Sequence, residues 1–327
     1  MNAYAVIMAG GGGERLWPLS RGGEPKQFFS LFESKPLIRH AADRLKGLFP
    51  AERILVVTAK SFVRRTRKEL PELPSANIIA EPCRRNTAPA VALATREVAK
   101  RGGDDAVCCI LTADHLIKPV GAFQSALRRA ILRAEKGGAI VTLGIKPTFP
   151  ATGYGYINAA SKPIRFTEKP DAKTAAKFLK QGTYYWNSGM FVFRTDTMSA
   201  ALREFAPEVA RLLDARRPLA LYPDLKPISI DYAVMEHYDR IQVIPASFRW
   251  SDVGTWKSVS EQLPVDREGN AVIGRAKLID VRDSLVISDD GHLTAVLGLD
   301  NVVVVHTPEA TFVCAKDRSE DVRKLLR

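Results

Sequence analysis

The chain has 327 residues, 46% of them hydrophobic and 26% charged, and 48 Lys and Arg against 36 Asp and Glu leave a net charge of +12. These proportions are ordinary for a folded globular chain and exclude a disordered, collagenous or coiled-coil protein; at roughly 100–200 residues per domain the length predicts two domains. No apolar run approaches the ~18 residues of a membrane span. The basic residues are scattered, without interleaved aromatics, so neither a membrane nor a nucleic acid is the expected partner.

In chain order, Tyr4–Ala9 comes first. It is short, has no basic segment before it and runs into four glycines, so it predicts a first strand and not a signal peptide. Residues 54–58, 107–112 and 139–143 are further short runs rich in β-branched residues and predict buried strands. Between them, Ala88, Val91, Ala92, Thr95, Val98 and Ala99 form a helical stripe, capped by Asn86 or Thr87 with Pro89 in the first turn. Phe123, Leu127, Ala130, Ile131 and Ala134 form another. Strand alternating with helix predicts an α/β, Rossmann-like, mostly parallel sheet with helices on both faces, widened by strands near 164–168, 189–193 and 241–245. The texture then changes. Strands centred near Val272, Ile279, Val286, Val296, Val303 and Phe312 recur with turn residues between them, and no helix is expected before the last ten residues. A catalytic domain over 1–262 and a small β domain, a short β-solenoid ending in a helix, over 263–327 are expected. The cysteines Cys83, Cys108, Cys109 and Cys314 have no metal spacing, which suits a reduced, cytoplasmic chain.

The first strand empties into Gly10-Gly11-Gly12-Gly13-Glu14-Arg15-Leu16-Trp17-Pro18-Leu19-Ser20. Four glycines after a strand let backbone N–H groups approach an anion, and Arg15 adds a fork of donors. The loop is not a dinucleotide fingerprint: the third glycine is missing, and the second strand ends Thr58-Ala59-Lys60 without the acid that holds a ribose. It is not a P-loop either, because Glu14-Arg15 stands where Gly-Lys-Ser/Thr is required.

Together with Pro25-Lys26-Gln27, the loop resembles the signature of the sugar-1-phosphate nucleotidyltransferases, and in detail that of the mannose-1-phosphate guanylyltransferases. The resemblance continues through Glu81-Pro82 with Arg85-Asn86-Thr87-Ala88-Pro89, which looks like the base-binding segment, and Thr112-Ala113-Asp114-His115, which looks like the metal-binding turn. Gly153-Tyr154-Gly155-Tyr156-Ile157, Phe166-Thr167-Glu168-Lys169-Pro170, Trp186-Asn187-Ser188-Gly189-Met190 and Trp250-Ser251-Asp252-Val253-Gly254-Thr255-Trp256 look like the sugar-side segments. Glu14 departs from the family, where many members carry Thr. The resemblance implies transfer of GMP from GTP to α-D-mannose 1-phosphate, with Mg²⁺ as cofactor.

Such a reaction needs no general base, because the sugar phosphate is already an ionised nucleophile. Its barrier lies in bringing two polyanions together and stabilising a crowded α-phosphorus, so cations, backbone donors and carboxylate-held Mg²⁺ are required. Asp114, at the carboxyl edge of a central strand, is placed for the metal, with Asp252 as second carboxylate. Gly10, Gly11, Gly12, Gly13, Arg15 and Lys26 are assigned to the triphosphate, and Glu81, Asn86, Thr87 and Ala88 to the base. Gly153, Tyr154, Gly155, Glu168, Lys169, Asn187 and Ser188 are assigned to the sugar phosphate, with the Lys169 ammonium on its phosphate and the Glu168 carboxylate on its hydroxyls. His115 is expected to be structural. A heptose- or fucose-1-phosphate guanylyltransferase is the nearest rival; a nicotinamide oxidoreductase lacks the third glycine and the acid, and a nucleic-acid-binding regulator leaves Asp114 and Asp252 without purpose. Longer relatives carry a cupin-like isomerase domain beyond Lys324-Leu325-Leu326-Arg327, so a single activity is expected here, with a homodimer as a candidate assembly.

Overall fold

The structure is a computed structural model that describes all residues except Gly12, Gly13, Arg21, Gly22, Gly23, Asp290 and Arg327. Its strands are β1 (Ala3–Ala9), β2 (Ile54–Ala59), β3 (Ile78–Glu81), β4 (Val107–Thr112), β5 (Leu116–Lys118), β6 (Ile140–Ile145), β7 (Tyr156–Asn158), β8 (Arg165–Thr167), β9 (Tyr184–Arg194), β10 (Ile241–Pro245) and β11 (Arg249–Ser251). In the tail follow β12 (Ala271–Ile273), β13 (Arg275–Ile279), β14 (Leu285–Ser288), β15 (Leu293–Leu297), β16 (Val302–Thr307) and β17 (Ala310–Ala315). By packing the chain forms two compact units. One comprises Met1–Gly10, Ala41–Ala113 and Ile117–Trp250; the other comprises Gly11–His40, Asp114–Leu116 and Ser251–Arg327. No helix among the described residues is long and apolar enough to cross a membrane.

The first unit is built on a mixed sheet of order β10-β6-β9-β4-β1-β2-β3, with β7 and β8 added beside β9. β1 pairs in parallel with β2 and β4, β2 with β3, and β10 with β6, while β9 runs antiparallel between β4 and β6. Both faces of the central strands are apolar because both are covered. Tyr4, Val6, Cys108 and Ile110 join the core around the helix Thr87–Gly102, while Ala5, Ile7, Cys109 and Leu111 on the alternate positions are equally buried. The helix Val120–Ala134 packs on β4, β6, β9 and β10 through Phe123, Ala126, Leu127, Ala130 and Ile131, a stripe of helical period. Asn86 is the cap of the first helix, its side chain accepting from Thr87 N at 2.8 Å.

The second unit contains the β tail, and the six strands read from its sequence are present. β12, β14 and β16 stack in parallel, Ala271 pairing with Leu285 and Leu285 in turn with Val303. β13 and β15 pair in parallel in a second small sheet, and β17 closes the first in antiparallel register. This is a short β-helix, and Lys316–Leu326 ends it as a 3₁₀ helix. By packing, the same unit also takes in residues that come well before the tail. Leu16, Phe29, Leu31, Phe32, Leu37, Val253, Trp256 and Val259 share one hydrophobic core with Ala271, Leu285, Ile287, Val303, Val305 and Phe312. Trp256 is fully buried and its indole N–H donates to Trp17 O at 2.8 Å. A boundary read from strand texture cannot register a core shared with residues far earlier in the chain.

Candidate active site

In the second unit, Pro25 leads into a single 3₁₀ turn, Lys26–Phe28, which buries Lys26 to 7% exposure. Its ammonium lies 2.9 Å from Asp114 Oδ2 and also donates to the backbone oxygen of Asp252. Burial alone would push the Asp114 carboxyl up; the Lys26 charge, with help from His115, outweighs it and holds the group down at about 2. His115 stands 3.7 Å from the other oxygen, Asp114 Oδ1. Asp252 Oδ1 accepts from Gly254 N at 3.1 Å, and a Cβ on Gly254 would fall 2.5 Å from Oδ2, so a side chain there would displace the carboxylate. Between them Val253 adopts φ 48°, a costly conformation for a β-branched residue, held while its side chain is buried in the core of the unit. Gly11 approaches the same cluster, with its Cβ position 3.7 Å from Asp114 Oδ2. Arg15 is half-buried in the turn Glu14–Leu16. Gly12 and Gly13 lie outside the described residues.

In the first unit, Glu81 ends β3 and is buried. Tyr222 donates a hydrogen bond to its Oε1, and the Cβ position of Gly10 lies 3.2 Å from its Oε2. Burial raises the Glu81 carboxyl and the tyrosine bond opposes that rise; burial also pushes the Tyr222 phenol up. Asn86 and Thr87 are exposed, Asn86 with φ 65°. Ala88 is fully buried and its N–H is taken by Ile228 O, so it supports the segment from behind.

Also in the first unit, the Glu168 carboxylate is 8% exposed, packs against the Cα of Gly155 and pairs with the Lys169 ammonium at 2.6 Å. Lys169 itself is exposed and held at φ 43°. Asn187 N donates to Gly155 O at 2.8 Å, which ties the Gly153–Gly155 loop to β9. Tyr154 stacks edge-on against Trp186 and Trp250, at 5.1 and 5.2 Å between ring centres. Gly153 is exposed with open space about its Cα. Ser188 is instead buried at 1% exposure, accepting from Met190 N at 3.4 Å.

Three contributors went unread in the sequence: Tyr222, Asp231 and Glu236. Asp231 Oδ1 accepts from Asn187 Nδ2 at 3.0 Å, and Glu236 Oε1 accepts from the Glu168 N–H at 3.1 Å. They lie five apart, at the first residue of the π-helical turn Asp231–Met235 and just beyond its last, and a five-residue step in such a turn returns to the same side. A search for 3.6-residue periodicity does not pair them. Burial, and then the charge of Glu168, push the Asp231 carboxyl up to about 6, while Lys169 and the Asn187 amide hold it down. Among the described residues there is no cluster of three or more His, Cys, Asp and Glu fit to hold a metal, and all four cysteines are free.

Residues 4–268 match the family described as nucleotidyl transferase, and residues 274–327 the MannoseP isomerase/GMP-like β-helix domain. The mannose-1-phosphate guanylyltransferase of Escherichia coli is 39% identical over 98% of this chain and 72% of its own length. Mannose-1-phosphate guanylyltransferase RfbM of Salmonella typhimurium is 38% identical over 100% of this chain and 72% of its own. A crystal structure described as mannose-1-phosphate geranyltransferase from Thermus thermophilus superposes with a TM-score of 0.91 at 36% identity, covering 100% of this chain and 98% of that one. With motif order, fold and β-helix tail in agreement, the chain belongs to the nucleotidyl transferase family, among the mannose-1-phosphate guanylyltransferases.

Proposed function

We propose that the protein transfers GMP from GTP to α-D-mannose 1-phosphate, releasing pyrophosphate and GDP-mannose. The observation that carries the reading is Lys26, whose one ammonium touches both the Asp114 carboxylate and the backbone of Asp252. That arrangement sets a cation against one carboxylate and against the backbone of a second acidic residue, without a nucleophile–base pair, which is what phosphoryl transfer between two ready-made anions asks for. Family members typically use a divalent metal. The residues here fit Mg²⁺: both side chains are hard oxygen donors, one or two carboxylates plus phosphate oxygens suffice, and the lodged Lys26 ammonium marks a spot where positive charge is already stabilised. Asp114 and Asp252 would hold the ion, which when bound neutralises charge on the triphosphate.

The remaining work falls to the chain. Gly10–Gly13, Arg15 and Lys26 bind the triphosphate, and Lys26 meets the charge that builds as pyrophosphate departs. Glu81 accepts from the guanine N–H groups, with Asn86 and Thr87 beside it at the head of the helix. Lys169 holds the sugar's phosphate; Glu168 and Asn187 take its hydroxyls, against the Gly153–Tyr154–Gly155 loop. The sugar phosphate oxygen attacks the α-phosphorus, and the bond to pyrophosphate breaks in line. A panel of nucleoside triphosphates against mannose, heptose and fucose 1-phosphates, read as pyrophosphate release, tests this. GTP with mannose 1-phosphate should turn over fastest; a faster pair, or no turnover with GTP, refutes the reading.

A further inference from the structure

The stretch from Tyr222 to Glu236 carries none of the motifs read from the sequence, yet within the first unit it contacts the base-side and sugar-side segments in turn. Tyr222, fully buried, donates to Glu81 Oε1. Pro223 O accepts from both Nε and Nη2 of Arg85. Ile228 N donates to Arg85 O at 3.3 Å, Ile228 O accepts from Ala88 N at 3.1 Å, and Ile230 N donates to Thr87 Oγ1 at 2.8 Å. One residue later Asp231 takes the Asn187 amide, and Glu236 takes the backbone N–H of Glu168.

We infer that Tyr222 and Asp231 are positioning residues carried on one segment, Tyr222 aiming the Glu81 carboxylate at the nucleobase and Asp231 fixing the Asn187 amide for the sugar. The inference rests on the assignment of Glu81 to the base and Asn187 to the sugar given above. The phenol holds the Glu81 carboxylate through Oε1 and so leaves Oε2 facing Gly10. The amide is fixed from both ends: Asn187 Nδ2 donates to Asp231, and Asn187 Oδ1 accepts from Gly189 N at 3.1 Å. With both ends engaged, the amide cannot flip without breaking two bonds. Residues that only filled space would touch neither substrate's parameters selectively.

At nearly constant volume, Tyr222→Phe removes the phenol and Asp231→Asn replaces the charged acceptor of the Asn187 amide with a neutral, weaker one that is free to turn its NH2 toward the amide instead. With each substrate varied against saturating partner, Tyr222→Phe should raise KM for GTP about tenfold, the worth of one hydrogen bond to a charged group, and leave KM for mannose 1-phosphate within about twofold. Asp231→Asn should do the reverse. Ratios of kcat/KM between competing substrates do not depend on how much of a variant is folded, so they guard against loss of protein. The GTP-to-UTP ratio should fall in Tyr222→Phe alone, and the mannose-to-glucose 1-phosphate ratio in Asp231→Asn alone. Glu81→Gln and Asn187→Ala are measured alongside. If these two act on GTP and on the sugar phosphate respectively while Tyr222→Phe and Asp231→Asn do not, the positioning role is wrong and the substrate assignment stands. If Glu81→Gln leaves GTP unaffected, or Asn187→Ala leaves the sugar phosphate unaffected, the assignment fails and takes the inference with it.

Discussion

Charge placement at single residues makes the sharpest demands on experiment. Asp114→Asn or Asp252→Asn should lower kcat by orders of magnitude in a protein that still melts cooperatively, because each removes one of the two carboxylates proposed to hold the metal, the Asp114 one lying 2.9 Å from the Lys26 ammonium; wild-type turnover persisting in EDTA would sink the metal assignment. Lys169, exposed and bonded sideways to Glu168, is placed to meet a phosphate. Its replacement by Ala should raise KM for mannose 1-phosphate roughly 10- to 150-fold, from about 1.5–3 kcal/mol for a charge-assisted bond, with far less change for GTP, whereas Arg15→Ala should show the opposite bias. Asp231 gives a test at equilibrium. A carboxyl raised from 3.8 to about 6 in the fold is ionised at a cost, so stability is lost as pH rises through that interval and stays lost at neutrality. Asp231→Asn should therefore be more stable than wild type at pH 7.5 and lose that advantage near pH 4, while binding the sugar phosphate less well. Thermal melts across that range decide it: a variant less stable than wild type at pH 7.5 would mean that Asp231 is a structural anchor.

Short elements set where these groups can stand. Gly155 is required by close approach: a methyl on it would lie 2.5 Å from Glu168 Oε2, and the carboxylate is the atom that can move. Gly155→Ala should accordingly raise KM for mannose 1-phosphate by about tenfold with little change in melting temperature; an equal loss toward GTP would count against a local effect. The strands and the two amphipathic helices were legible because burial on a regular element imprints its period on the residues. Asn86, Lys169 and Val253 share a left-handed backbone that no pattern of residue types announces, since for two of them glycine would be the ordinary choice. The π turn hid Asp231 and Glu236 for the same kind of reason, its period matching neither helix nor strand. Glu81, Asp114 and Glu168 were assigned to the candidate site through motif order; Tyr222, which no motif contains, was out of reach of a single sequence.

For the whole molecule, the second unit's core decides what can be removed. Strand texture suggests cutting at residue 262, but Leu16, Phe29, Phe32 and Trp256 lie in one cluster with Leu285, Val303, Val305 and Phe312. A fragment of residues 1–262 should be insoluble or expose enough apolar surface to bind a hydrophobic dye, and Trp256→Ala in the full chain should cost about 3–5 kcal/mol. A soluble fragment that melts like the parent would show the tail to be an independent appendage.

The bond between Lys26 and Asp252 spans 226 residues. At a translation rate of roughly 5–20 residues per second, the lysine emerges about 10–45 s before its partner exists. Through that interval the glycine loop and the lysine are present on a growing chain that has no second carboxylate and no β-helix to complete their core. An interrupted chain should therefore be catalytically silent, with activity appearing late in synthesis and all at once. Ribosome-bound intermediates of increasing length, assayed for pyrophosphate release, should remain inactive until the last strands of the tail have cleared the exit tunnel.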